Sequence, residues 1–365
     1  MKIRIRKYCR VCCAVFMIGV AVFCLMQRLP ECIGGRDTAL AAAAFTLSDG
    51  KYRMEALTEA PTDVTEAVRT EATAAARPSE QKNVSRDKSG YYDSYADHSG
   101  EERYAVSEKT VGADGTAIEN AYVKNRTGLD FDFGSILHTP LTFQTKQNAS
   151  EPQVLIYHTH TSEAYLDEDV DYFYESFYSR TQNEDFSVVG VGNVLAKTLE
   201  EHGICTIHDK TVHDSTYNGS YDRSAETVCA YLAEHEDIRV VLDIHRDALG
   251  TEDCKVKTVF EHDGEKAAQI MILSGCDIYG ERGFDHWQNN LSFALKLQTK
   301  AESMYPGMTR PMSFDFFAYN EYICDGSLLI EVGTDANSVD EVQRTAVYLA
   351  GVIAAVLNEN EATVG

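Results

Sequence analysis

The sequence is short of positive charge. Its 365 residues carry 33 Lys and Arg against 57 Asp and Glu, a formal charge of −24. A protein that tracks phosphates needs a basic face, so nucleic acid is excluded as a partner. Long apolar runs are lacking apart from one near the N-terminus, which excludes a multi-span membrane protein. There is no CxxC pair. The five cysteines of the body, Cys205, Cys229, Cys254, Cys276 and Cys324, are widely spaced and odd in number, which excludes a disulfide framework and leaves most of them to act as small buried apolar residues. Neither GxSxG nor a P-loop occurs, and the cysteines lack a thiol-protease context. The stretch 58–100 contains no Ile, Leu or Phe, so it cannot bury enough apolar surface to offset its chain entropy. No proline occurs between Pro152 and Pro306, which suits one continuous folded domain. The 44% of hydrophobic residues is ample for a core, and the length suits about two domains or one with appendages.

The little basic charge there is lies unevenly. Lys2, Arg4, Arg6, Lys7, Arg10 and Arg28 are the only charged side chains in residues 1–30, leaving 27 basic against 57 acidic groups beyond them. The uncharged run 11–26, VCCAVFMIGVAVFCLM, follows most of this basic cluster. It is short beside the ~20 residues that span a bilayer comfortably, and a signal-peptide core is the other reading. The sequence after it, from Gln27 to Glu31, suits cleavage poorly. The expectation is therefore a single uncleaved anchor in residues 1–30, with its basic end in the cytoplasm and the body outside the cell membrane. Residues 31–150 are expected to be a low-complexity, largely disordered tether, with a helical patch near 66–76.

From Pro152 onward apolar runs alternate with amphipathic stretches. Runs at 154–157, 204–207, 239–244 and 327–332 read as strands. Stretches at 188–199, 221–235, 287–304 and 338–357 read as helices, and Gly203 and Pro306 mark stops. Residues 256–260 and 269–273 around Asp263-Gly264 suggest a hairpin. The alternation implies an α/β layered fold over 151–360, with a mostly parallel or mixed central sheet flanked by helices.

Three buried-looking strands carry polar, metal-capable groups, and ligands of open α/β sheets bind beyond the carboxyl ends of strands. The first reads Tyr157-His158-Thr159-His160-Thr161-Ser162-Glu163. Alternation puts His158 and His160 on one face, and a turn after His160 would bring Glu163 to the same ion, as zinc requires. A hydrogen-bonded histidine pair is the plainer reading. The second reads Asp243-Ile244-His245-Arg246-Asp247. Here Asp243 and Asp247 flank His245, the support that a ligating imidazole takes; a structural Asp–His pair is the alternative. The third places Glu331 inside the apolar run 327–332. A carboxylate there must be paired, coordinated or protonated. It is either a general base or the partner of a cation such as Arg246. The aromatic stretch 165–186 is a substrate groove or a packed lid, and Arg310-Pro311 and Tyr319-Asn320 are candidates for shaping the site.

Taken in order, YHTHTSEAY at 157–165, DIHRDA at 243–248 and LLIEVGT at 328–334, followed by Asn337 and Ser338, resemble the stage II sporulation protein P family over roughly residues 150–358. The resemblance implies a fold similar to zinc-dependent N-acetylmuramoyl-L-alanine amidases. It implies cleavage of the amide between glycan and stem peptide in peptidoglycan, with endopeptidase action on cross-links, during engulfment in endospore formation. Stage II sporulation proteins D and M are the implied partners. By motif, His160 and His245 match the metal-binding histidines and Glu331 matches the glutamate of the terminal motif. Glu163 is taken as the remaining Zn²⁺ ligand and Glu184 is the alternative. His158, Asp243 and Asp247 surround the ligands, and Arg246 stabilises an oxyanion or holds Glu331. Two other functions stand beside this one: a zinc exopeptidase acting on free peptides, and a non-catalytic, membrane-tethered wall-binding module.

Overall fold

Residues 86–362 are described by the structure, a computed structural model. They form β1 (Arg103–Lys109), β2 (Thr116–Ile118), β3 (Ala121–Asn125), α1 (Phe133–Leu137), β4 (Val154–Tyr157), β5 (Tyr172–Tyr174), α2 (Val188–Glu201), β6 (Thr206–His208), α3 (Ser220–Glu234), β7 (Val240–Asp247), β8 (Gly250–Thr251), β9 (Cys254–His262), β10 (Glu265–Ala268), β11 (Ile270–Gly275), α4 (Trp287–Met304), β12 (Met312–Asp315), β13 (Ser327–Thr334) and α5 (Val339–Ala362). The apolar run 11–26 and the stretch 66–76 lie outside the described residues. Among the described residues no helix is long and apolar enough to cross a membrane.

An eight-stranded sheet runs β2-β3-β12-β11-β13-β7-β4-β6. The pairs β4/β6, β4/β7, β7/β13, β3/β12 and β11/β12 are parallel, whereas β11/β13 and β2/β3 are antiparallel. This is a mixed α/β fold with a mostly parallel central sheet. Four successive apolar residues in β4 are buried at every position, which needs cover on both faces. Val154 and Ile156 lie in the main core with Val191, Leu195 and Leu199 of α2 and Leu349 and Ile353 of α5. Leu155, Tyr157 and Val241 pack instead with Val228 of α3. Because β4, β7 and β13 are mutually parallel neighbours, Tyr157, Asp247 and Thr334 end at one edge of the sheet.

Folded structure begins well before residue 151, which corrects the expected domain boundary. β3 joins the central sheet beside β12, and β1 pairs with β9 and β5 in a second sheet ordered β10-β9-β1-β5. The sequence hid these strands because they line the outside of a core built elsewhere. In β1 only Val106 is buried, and β2 and β3 bury only Ile118, Ala121 and Val123. Phe133 and Leu137 of α1 then add to the main core, each contributing about 1.5–3 kcal/mol by burial. The hairpin at Asp263-Gly264 is present, but its second arm is β10, paired His262 to Glu265; the apolar run that follows becomes β11 of the central sheet. The cysteines differ from expectation too: all five are free, but only Cys276 is buried.

The end of β13 explains the residues after Glu331. The register with β7 shifts between Glu331 and Thr334, and Gly333 takes φ +68 with its Cβ position 2.8 Å from Asn337 Oδ1. A side chain there would meet both strain and a clash. Asn337 Oδ1 accepts from the Thr334 N–H at 2.9 Å. Ser338 and Glu341 then form a reciprocal cap on α5: the Ser338 N–H donates to Glu341 Oε2 at 2.9 Å and the Glu341 N–H to Ser338 Oγ at 3.3 Å.

Candidate metal centre

Beyond Tyr157 the chain leaves the strand, so the expected alternation of His158 and His160 stops there. The two imidazoles have different surroundings. His158 Nδ1 donates to Ile244 O at 2.8 Å and its Nε2 lies 2.9 Å from His208 Nε2. Burial of His158 pushes its pKa down to about 4. His160 begins a turn closed by the Glu163 N–H on His160 O at 3.1 Å. That turn sets His160 Nδ1 3.5 Å from Glu163 Oε1. The Glu163 backbone is fixed further by a bridge to Arg180 and by the Val188 N–H on its carbonyl at 2.9 Å.

From β7, His245 brings Nδ1 to 3.4 Å from Glu163 Oε2, and the Arg246 N–H donates to the same oxygen at 3.2 Å. One carboxylate thus faces two imidazoles. The ligand atoms of His160, Glu163 and His245 all lie within 4.8 Å of one another, and all three residues are buried. Burial would raise the pKa of Glu163, but the Arg246 charge and the two imidazoles hold its carboxyl well below the ordinary range. His245 has the complementary environment: burial disfavours its cation, while Asp243 and Glu163 hold its pKa well above the ordinary value. Two imidazoles and a carboxylate are the donor set of a three-residue zinc site, and the residues present fit that ion.

The flanking carboxylates separate. Asp243 lies under the centre, with Oδ1 2.8 Å from His245 Nε2. The Thr159 N–H and hydroxyl donate to its two oxygens at 2.8 and 2.6 Å. Asp247 Oδ2 instead pairs with Arg310 Nη1 at 2.8 Å. Glu331 is the register partner of His245 on the adjacent strand, so the two side chains stand together on one face. Ile330 and Val332 turn into the main core. Glu331 is buried and its Oε2 has no hydrogen-bond partner among the described residues. Burial, then the Asp247 charge, push its pKa up to about 8 against the opposing pull of His245.

Arg246, expected at an oxyanion or on Glu331, has its guanidinium on two loop carbonyls, Ala164 O at 3.2 Å and Ser179 O at 2.8 Å. Glu184 is distant in role: it is paired with Lys210 at 2.7 Å, both side chains about half exposed. In the aromatic stretch, Phe173 and Phe177 pack with Val106, Leu166 and Ala336, whereas Tyr178 is exposed. Sequence reasoning missed Thr159, Arg180, Asp214, Tyr217 and Tyr221. Tyr217 stacks on the His160 ring and Tyr221 meets it edge-on, with centroids 4.8 and 5.8 Å away. They come from the β6–α3 connection and the start of α3, and no spacing in the sequence ties them to residue 160.

The family described as Stage II sporulation protein P matches residues 40–354. The chain belongs to this family. The stage II sporulation protein P of Bacillus subtilis (strain 168) is 28% identical over 225 residues, covering 57% of this chain and 52% of that protein, so the chain spans about half the length of the curated relative it matches. Among solved structures, the CwlD amidase from Clostridioides difficile in complex with the GerS lipoprotein is 12% identical with a TM-score of 0.34, covering 57% of this chain and 99% of that one. An N-acetylmuramyl-L-alanine amidase from Mycobacterium smegmatis is 13% identical with a TM-score of 0.34, covering 59% and 100%.

Proposed function

We propose that this protein is a zinc-dependent peptidoglycan hydrolase that cuts the amide between N-acetylmuramic acid and the stem peptide, with endopeptidase action on cross-links as a second activity. One observation carries the reading. His160, Glu163 and His245 bring ligand atoms within 4.8 Å of one another, and the buried Glu331, with an oxygen unpartnered among the described residues, stands beside His245. Membership of the sporulation family supports the wall as substrate and engulfment as setting. The anchor at residues 11–26, the position of the catalytic domain on the wall side, and assembly with stage II sporulation proteins D and M belong to the same proposal.

His160, Glu163 and His245 would hold the ion. When bound, zinc supplies a Lewis acid that polarises a carbonyl and acidifies water. Asp243 steadies His245 by its charge, with Oδ1 2.8 Å from Nε2, and Thr159 fixes Asp243 through two hydrogen bonds. The Arg246 N–H orients Glu163 Oε2, while its guanidinium ties the 163–164 turn to the 179 loop; Arg246 positions the ligand. Glu331 accepts the proton of the attacking water at Oε2 and returns it to the leaving amine.

The test is metal analysis of the purified protein together with the masses of products released from sacculi. One zinc per chain and stem peptides freed at the muramoyl amide are expected. His160→Ala and His245→Ala should each lose stoichiometric zinc and wall digestion. Full zinc and full activity in either variant would refute the assignment. Cleavage of free peptides with intact sacculi untouched would favour an exopeptidase, and wall binding without cleavage a non-catalytic module.

A further inference from the structure

Resting on the hydrolase reading, we infer that Tyr319 is a further catalytic residue, whose hydroxyl donates a hydrogen bond to the oxygen of the amide carbonyl as water adds to it.

Tyr319 and Asn320 lie in the connection between β12 and β13, and both have left-handed backbones, with φ 39 and φ 60. For a side chain as bulky as tyrosine that conformation is strained, and it persists only where the surroundings impose it. Here they impose it at three points. The Glu321 N–H closes the turn on Ala318 O at 2.5 Å. The Phe317 carbonyl lies so close to Gly275 that a Cβ there would come within 1.8 Å of its oxygen. Asn320 Nδ2 donates to Tyr221 O at 3.1 Å and to Ser224 Oγ at 3.0 Å. Ser224 Oγ lies 2.8 Å from Thr159 Oγ1, which donates to Asp243, the carboxylate beside His245. The turn is thereby joined to the support of the metal centre.

The side chain that this turn presents has an unused hydroxyl. Its half-buried ring packs with Phe317 and Tyr221, at centroid distances of 5.1 and 6.1 Å, and Tyr221 meets the His160 ring edge-on. The Tyr319 hydroxyl makes no hydrogen bond among the described residues, and unlike that of Tyr157 it is not enclosed. Burial, then the Glu321 and Glu331 charges, push the Tyr319 phenol far up, so it stays a donor. After burial and Asp243, the Glu331 charge acts on the Tyr221 phenol too, so Glu331, Tyr221 and Tyr319 share one side of the centre. In the reaction the water oxygen bonds to the carbonyl carbon, its proton passes to Glu331, and the carbonyl π pair moves onto the oxygen. Tyr319 donates to that oxygen and keeps its own proton. The pair then restores the carbonyl, and the nitrogen leaves with the C–N electrons and the Glu331 proton. A donor fixed before the charge appears stabilises the transition state with little reorganisation, and the imposed turn supplies that fixing.

The experiment uses the full-length protein loaded with zinc, a muramoyl peptide as substrate, and its phosphinate analogue, which is tetrahedral, charged and not cleaved. Tyr319→Phe keeps the ring and removes the hydroxyl. It should lower kcat by about 10–100-fold, somewhat less than loss of an enclosed oxyanion donor, because water can reach the vacated place. KM should stay within about twofold, as for an interaction made only in the transition state. By calorimetry the phosphinate should bind more weakly by a similar factor, while the released stem peptide keeps its Kd. Zinc content and melting midpoint should match the wild type. Wild-type kcat and phosphinate affinity in Tyr319→Phe would overturn the role of Tyr319 and leave the hydrolase reading standing. A raised KM with unchanged kcat, or activity lost together with zinc or folding, would overturn the catalytic role as well. A wild type that cleaved no muramoyl peptide would instead sink the hydrolase reading itself, and this inference with it.

Discussion

Asp243→Asn tests the support beneath the centre with almost no change of shape. Asp243 is fully buried. Its Oδ1 accepts from the Thr159 N–H and lies 2.8 Å from His245 Nε2, and its Oδ2 accepts from the Thr159 hydroxyl. An asparagine that keeps oxygen at the Oδ1 position retains the acceptor for the Thr159 N–H and keeps an oxygen beside His245 Nε2. Its new NH₂ then faces Thr159 Oγ1. That hydroxyl can reverse, because Ser224 Oγ lies 2.8 Å away as an alternative acceptor. No polar group is orphaned, and the loss is the charge. The charge-assisted bond from the Thr159 N–H becomes a neutral one and the ion pair with His245 is lost, about 1 kcal/mol each, while relief of a buried charge returns part of this. A net cost of about 1 kcal/mol should lower the melting midpoint by about 2–4 °C. The effect on the ion should be larger. His245 loses the anion that stands beside its Nε2, and loss of such a partner weakens metal binding about 10–100-fold. Competition with a chelator of known affinity, run beside thermal melts, measures both. Asp243→Ala is the contrast: it strands the Thr159 N–H and should cost about 1–3 kcal/mol more. Zinc affinity unchanged in Asp243→Asn despite the small melting shift would refute the coupling of Asp243 to the metal through His245.

Three other outcomes follow from the same geometry. Glu331→Gln should keep zinc and wall binding and lose turnover by about 10²–10⁴-fold, whereas Glu163→Gln should lose zinc first; zinc analysis and sacculus digestion of the two side by side would exchange their roles if the pattern reversed. Burial holds the pKa of Glu321 well above its ordinary 4.5, against one hydrogen bond from the Gly275 N–H. The folded state therefore keeps this proton where the unfolded chain has released it, so this group's stabilisation is complete below about 4.5 and falls as pH rises toward the folded value. Glu321→Gln should gain stability relative to the wild type between pH 5 and pH 8 in paired melts, and a difference that stayed flat or shrank would contradict this.

The motifs were legible because each is a local segment that carries its own chemistry. His160 and Glu163 meet through a single turn, so their spacing of three was sufficient to pair them. Asp243 and His245 share a face through strand alternation alone. Glu331 stood out because a carboxylate between Ile330 and Val332 has no cheap structural excuse. His158 shows the limit of the same rule, since alternation holds only while the strand lasts and β4 ends at Tyr157. The early strands were illegible for a different reason: β1 buries one side chain and leans on β9, so its own residues carry little of the pattern that marks a core.

The amino-acid sequence by itself determined the acidic body, the α/β alternation after residue 152, the position of its main strands and helices to within a few residues, and the family. Hydrophobic periodicity and motif order are properties of consecutive residues, and these features need nothing more. Only the tertiary structure decided which groups share the site. Parallel pairing of β13 with β7 puts Glu331 beside His245 across 86 positions of sequence. The 160–163 turn, folded against Arg246, brings Glu163 to the two imidazoles, while Glu184 pairs with Lys210. Packing at the rim brings Arg180, Asp214 and Tyr217 to the same edge. Such contacts depend on strand order and loop path, and one-dimensional spacing holds no record of either.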